Sequence, residues 1–75
     1  MKRPTERDKH FIQGACCAVA SMVYALGSST QSREALEACG IRSIKDMRRH
    51  DVCDYDIDLL RECIREIQIK ERRQK

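Results

Sequence analysis

A chain of 75 residues forms one domain at most, and a core of that size rarely supplies more than roughly 3–5 kcal/mol unless a disulfide, a metal or a partner subunit adds to it. Charged residues make up 36% of the chain, yet the formal net charge is only +3, which falls short of the strongly basic balance of a dedicated nucleic-acid binder. The longest weakly polar run, Gly14 to Leu26, is shorter than the roughly 20 apolar residues needed to span a bilayer.

Helix is the only regular structure the pattern supports, because glycine and proline punctuation is sparse. The first helix starts after Thr5 or Asp8, tolerates Pro4 near its beginning, and runs to Leu26, where Gly27 closes it in a left-handed conformation. Phe11, Ala15, Ala18, Met22 and Leu26 follow helical steps, and Ile12, Cys16, Val19 and Val23 make a second, adjoining stripe. Two stripes predict a broadly buried helix.

"SSTQSREALEACG" reads as a cap at Ser29 or Thr30, a short helix with Leu36 and Cys39 facing inward, and a stop at Gly40. In "RSIKDMRRHD", Ser43 and Asp46 make a variant capping box ahead of the anchors Ile44 and Met47. The last segment, "DYDIDLLRECIREIQIKERRQK", has aspartates at its start and Lys70, Arg72, Arg73 and Lys75 at its end, the order the helix dipole favours. Ile57, Leu60, Ile64 and Ile67 form its apolar seam, widened by Leu59 and Cys63. The expected fold is therefore all-α: one domain over residues 1–75 with four helices, long, short, short and long, and frayed ends at 1–7 and 69–75.

The stretch "HFIQGACCAVASMVYALG" poses a chemical question, since two adjacent thiols sit among small residues. Gly14, Ala15, Cys16, Cys17, Ala18, Ala20 and Ser21 give the helix a narrow waist against which large side chains can seat. Leu60, Ile64 and Ile67 are the natural complement. Because two short helices cannot cover both long ones, the long helices are expected to meet across a two-fold axis in a homodimer, with Phe11, Ala15, Ala18, Met22, Leu60, Ile64 and Ile67 as core and dimer packing.

Five cysteines are an odd number, and the polar "MKRPTERDK" ahead of them predicts free thiols in a reducing, cytosolic setting. Zinc is not expected. The thiols at 16, 17, 39, 53 and 63 lack paired short spacings, and only His50 with Cys53 is knuckle-like. A Cys53–His50 nucleophile is disfavoured by the neighbouring Asp54, Asp56 and Asp58, which raise a thiol's pKa. Those aspartates lack the glycine and distal glutamate of a calcium loop, so helix capping explains them better. No cofactor and no catalytic residue is expected.

DNA binding is the alternative that the residues leave open. "TQSREALEACGIRSIKDMRRH" is similar to a helix-turn-helix unit over residues 30–50, its second helix offering Lys45, Arg48 and Arg49 to phosphates. Leu36 and Asp46 depart from that pattern, and Asp46 and Asp51 dilute the basic patch. RNA stacking has little to work with, since Phe11, Tyr24 and Tyr55 are the only aromatic residues.

The strings "FIQGACCAVASMV", "REALEACGI" and "DYDIDLLR", over about residues 10–62, resemble small helical accessory proteins encoded in bacteriophage and prophage genomes, with a QG-x-x-x-A-x-A start and an acidic lead into the last helix. The resemblance transfers no catalytic residue. It implies expression in a bacterial host cytoplasm and a non-enzymatic role in binding and modulating, or inhibiting, a host protein such as a defence or regulatory factor. Asp54, Asp56, Asp58, Arg61, Arg65 and Glu66 are the expected contact residues. A DNA-binding regulator and a structural virion component are the competing readings.

Overall fold

The computed structural model describes residues 3–73. They form four helices, α1 (Glu6–Leu26), α2 (Thr30–Ala38), α3 (Ile44–Arg49) and α4 (Asp54–Arg73), with no strand among the described residues. The long, short, short, long order is as the sequence predicts. Of the ends expected to fray, residues 1–2 and 74–75 lie outside the described residues; α1 is already helical at Glu6, and α4 continues through Arg73.

Each boundary has a local cause. At α1 a full capping box forms: the Asp8 amide donates to Thr5 Oγ1 at 3.1 Å, and the Thr5 amide donates to Asp8 Oδ2 at 3.2 Å. Ser29 and Ser43 cap α2 and α3 through the amides of Ser32 and Asp46, each at 3.1 Å. Gly27 leaves α1 with φ +82°.

Both short helices end alike. The Ile41 amide reaches back to the Leu36 carbonyl at 2.9 Å, and the Val52 amide to the Met47 carbonyl at 3.1 Å. These are the wide closing bonds of a Schellman stop. Gly40 supplies the positive φ at the first stop, +79°, and Asp51 adopts +58° at the second. Ile41 and Val52 then fold back into the core, 0% and 6% exposed. The two linkers thus carry core residues of their own.

Cross-links along the chain fix the topology. Gln13 Nε2 donates to the His50 carbonyl at 2.9 Å, and Lys9 Nζ lies 3.1 Å from Asp51 Oδ2, so the start of α4 begins beside the N-terminal half of α1. Beyond the C-terminus of α1, the Ser28 hydroxyl donates to Glu66 Oε1 at 2.6 Å in the second half of α4. The long helices therefore run in the same sense, and α2 and α3 carry the chain back between them. α2 packs on both long helices, and α3 packs on α4.

The core gathers Ile12, Cys16, Val19 and Ala20 of α1, Leu36 of α2, Met47 of α3, and Ile57, Leu60, Cys63, Ile64 and Ile67 of α4 around the two linker residues. The expected α4 seam is buried throughout. On α1 the expectation of burial on two stripes needs correction. Only the Ile12–Cys16–Val19 stripe is covered, whereas Phe11 is 64% exposed, Met22 44% and Leu26 82%; Ala18 is exposed and Ala15 half-buried. Two helices, α2 and α4, pack on α1, and they shield one side of a 21-residue rod and leave the other in water.

Candidate functional site: a groove between the long helices

An open groove of about 370 Å³ lies between the second half of α1 and the start of α4. One wall is Cys17, Ser21 and Tyr24 of α1; the other is Cys53, Tyr55, Asp56 and Leu59. Tyr24 is 73% exposed and Tyr55 65%, so two phenols stand at the rim with no fold-internal duty. Leu59 forms part of the apolar floor, being only partly buried against the core. The arrangement offers rigid aromatic anchors, an aliphatic base and a carboxylate edge, the ingredients of a protein-contact surface.

The sequence-predicted contact residues fall into four groups. Asp56 lines the groove itself. Asp54 and Asp58 are not part of its lining: Asp54 has its carboxylate 3.6 Å from Arg48 and Asp58 accepts from Arg61 Nε at 3.0 Å; these are exposed pairs that a partner can reorganise at little cost. Arg61 and Arg65 are exposed on α4. Glu66 is different: one carboxylate oxygen accepts from Ser28 and the other from Arg33 Nη1 at 2.7 Å. It clamps α2 and the α1–α2 linker to α4, so its carboxylate is already engaged inside the fold.

The sequence pattern alone assigns Tyr24 and Tyr55 no contact role. Tyr24 lies off both apolar stripes of α1, which is the one signal that it faces outward. Tyr55 sits among the aspartates of the α4 start, where charge drew attention away from the ring.

The basic residues proposed for nucleic acid are placed less favourably. α3 has only six residues and packs on α4, whereas the two helices of a helix-turn-helix unit pack on each other. Lys45 and Arg48 are exposed, but Arg48 leans toward Asp54. Arg49 faces a separate depression shared with Arg3, Asp8 and His50.

Thiol chemistry divides by burial. Cys17 and Cys53 are exposed, while Cys16 and Cys63 are buried. Burial, then proximity to Cys39 and Asp56, pushes the Cys16 thiol up from 9.0 to about 11, so at neutral pH it is a protonated packing atom. Cys63 Sγ sits 3.2 Å from the Ser28 hydroxyl. His50 donates from Nδ1 to the Asp46 carbonyl at 2.8 Å, which ties the ring to its own helix. No group of three or more metal-capable side chains is gathered among the described residues.

The Cys16 shift makes an alkaline prediction with a definite sign. Between pH 9 and about 11 the unfolded chain has lost this proton and the native protein retains it, so stability falls with rising pH by on the order of 2 kcal/mol. Lys9, raised above its ordinary value chiefly by its hydrogen bond to Asp51, works in the same direction, its stabilisation being lost as pH rises through the folded-state value. Urea melts at pH 8 and pH 11 are expected to differ less for Cys16→Ala than for the native chain. An equal difference in both would refute the assignment.

No helix among the described residues is long and apolar enough to cross a membrane. Comparison with known protein families, with curated proteins and with solved structures gave no match.

Proposed function

We propose that this chain is a non-enzymatic protein-binding module of the phage accessory type, a homodimer that binds a bacterial host protein in the host cytoplasm and modulates or inhibits it. The observation that carries the reading is the groove between α1 and α4, where Tyr24 and Tyr55 stand exposed beside Asp56 and Leu59. Tyrosine is enriched among the residues that dominate binding energy, because it buries a large rigid ring at small entropic cost. Asp54, Asp56 and Asp58 add a negative edge, which favours a partner surface carrying lysine or arginine around an apolar centre. Arg61 and Arg65, exposed on another side of α4, offer a second, basic contact for a partner that wraps around that helix.

Pull-down from bacterial lysate with tagged native protein is expected to recover one host protein in fixed ratio. The double variant Tyr24→Ala/Tyr55→Ala, which removes only exposed rings, is expected to lower that recovery at least tenfold while its helical circular dichroism stays native. Recovery of capsid proteins alone, of nothing across several hosts, or of the same partner equally by the double variant would sink the proposal. The DNA reading makes the opposite demand: duplex affinity that falls steeply with salt and is lost in Arg48→Ala/Arg49→Ala.

A further inference from the structure

Of the large apolar side chains exposed among the described residues, Phe11, Met22 and Leu26 lie together on the outer face of α1 and outside the groove. Phe11, Met22 and Leu26, with Gly14, Ala15, Ala18 and Ala25 between and beside them, share one side of the helix at 100° per residue. This side is turned away from the Ile12–Cys16–Val19 stripe that faces the core. Isolated exposed apolar side chains need no explanation, but a continuous face with large residues at both ends and small ones between does.

We infer that this face binds the same face of a second copy, with the two α1 helices antiparallel about a two-fold axis close to Ala18; the inference rests on the homodimer proposed above and specifies its interface. Shape favours the arrangement. An antiparallel register that brings Ala18 beside the partner's Ala18 also sets Phe11 against the partner's Ala25, and Met22 over the partner's Gly14. Phe11 and Met22 then each meet a small residue, Leu26 packs beside Phe11 towards the edge, and the pattern repeats in the other direction as a two-fold interface requires.

Charge favours it as well. After Lys9, α1 carries no Asp, Glu, Lys or Arg, so the face meets its own copy without like-charge repulsion. The last turn of α1 has no basic residue, which leaves the negative end of its dipole uncompensated. Arg7 is exposed and lies on the same side of α1 as Ala18 and Ala25. In the antiparallel pair it arrives just beyond the partner's Leu26, where those terminal carbonyls are.

The surface area points the same way. The chain exposes 5450 Å², against about 4,700 Å² for a typical folded monomer of its mass. Pairing of the α1 faces buries on the order of 1,000 Å² in total, at the lower edge of specific interfaces. An interface of that size is small enough for a reversible dimer whose mass depends on concentration. Cys17, Ser21 and Tyr24 lie on the flank of α1 next to this face, so the pair presents two docking grooves on either side of one shared ridge.

Sedimentation equilibrium across the micromolar range is expected to show the native mass rising from 8.7 kDa toward twice that value, and Met22→Asp is expected to weaken association at least tenfold with unchanged helical circular dichroism. In a Cys17→Ser/Cys53→Ser background, Ala18→Cys is expected to yield a disulfide-linked dimer with oxidised glutathione, whereas Gly14→Cys, far from the axis, yields none. A native protein that stays monomeric overturns both the homodimer and this interface. A dimer that Met22→Asp leaves intact, or that Ala18→Cys fails to lock, overturns this arrangement while the homodimer stands.

Discussion

Leu60→Ala is expected to leave the chain largely unfolded at 25 °C. Leu60 is 0% exposed, in the middle of the α4 seam and surrounded in sequence and space by Ile57, Cys63, Ile64 and Ile67. Truncating a buried leucine costs about 3–4 kcal/mol, because the lost transfer energy is joined by the energy of a cavity the neighbours only partly fill. A domain of this size has roughly 3–5 kcal/mol to lose. Phe11→Ala is the informative contrast. The helical spacing marks both residues as packing positions, yet Phe11 is 64% exposed, so its truncation should cost the folded monomer less than about 0.5 kcal/mol. Urea denaturation followed by circular dichroism, at concentrations below dimer association, separates the two. Similar midpoints for both variants would contradict the burial pattern described above.

Glu66→Ala is expected to destabilise the fold by about 1–2 kcal/mol and to leave affinity for a groove partner unchanged. The carboxylate is the meeting point of three segments: Ser28 at 2.6 Å, Arg33 at 2.7 Å, and α4 itself. Removing it strips a charge-assisted bond from an arginine side chain only 24% exposed and takes from the Ser28 hydroxyl its carboxylate acceptor. Charge-assisted bonds contribute more than neutral ones, although the partial exposure of Glu66 keeps this pair well short of a fully buried one. Glu66→Gln should recover part of the loss, since its amide oxygen can still accept one of the two bonds. A loss of partner binding in Glu66→Ala at full helical content would return this residue to the contact surface.

Burial and engagement, which separate these two variants from their controls, are also where sequence and structure part company. Helix ends were legible. Thr5, Ser29 and Ser43 are short polar side chains just ahead of apolar periodicity, and their oxygens satisfy amide groups that no helix can satisfy for itself, so the signal is local. The α4 seam was legible for a related reason: it is a single stripe with charged residues on the other side, and only one orientation buries it. The Schellman stop at Gly40 follows from the residue that tolerates positive φ. The matching stop at Asp51 carried no such marker.

α1 was harder because its two apolar stripes are nearly equivalent by composition. Whether Ile12 or Phe11 goes inside depends on where α2 and α4 lie, and that depends on contacts such as Gln13 to His50 and Ser28 to Glu66, which join residues more than thirty positions apart. The groove shows the same limit. Its acidic edge could be found in "DYDIDLL", but Tyr24 joins Tyr55 only because the long helices run side by side in the same sense. Glu66 looked like one more surface charge for the same reason, until its partners from α2 and the linker were in place.

The amino-acid order by itself determined the all-helical class, the four segments with their caps, the inward seam of α4, and the small side chains that let Cys16 and Ala20 pack in the core. The three-dimensional arrangement alone decided which side of α1 meets water, which carboxylate is a clamp, and which tyrosines share a groove. Capping and periodicity act within a turn or two of helix, where sequence neighbours are spatial neighbours. Exposure is set by the competition of distant segments for the same apolar surface, and no local pattern records its outcome.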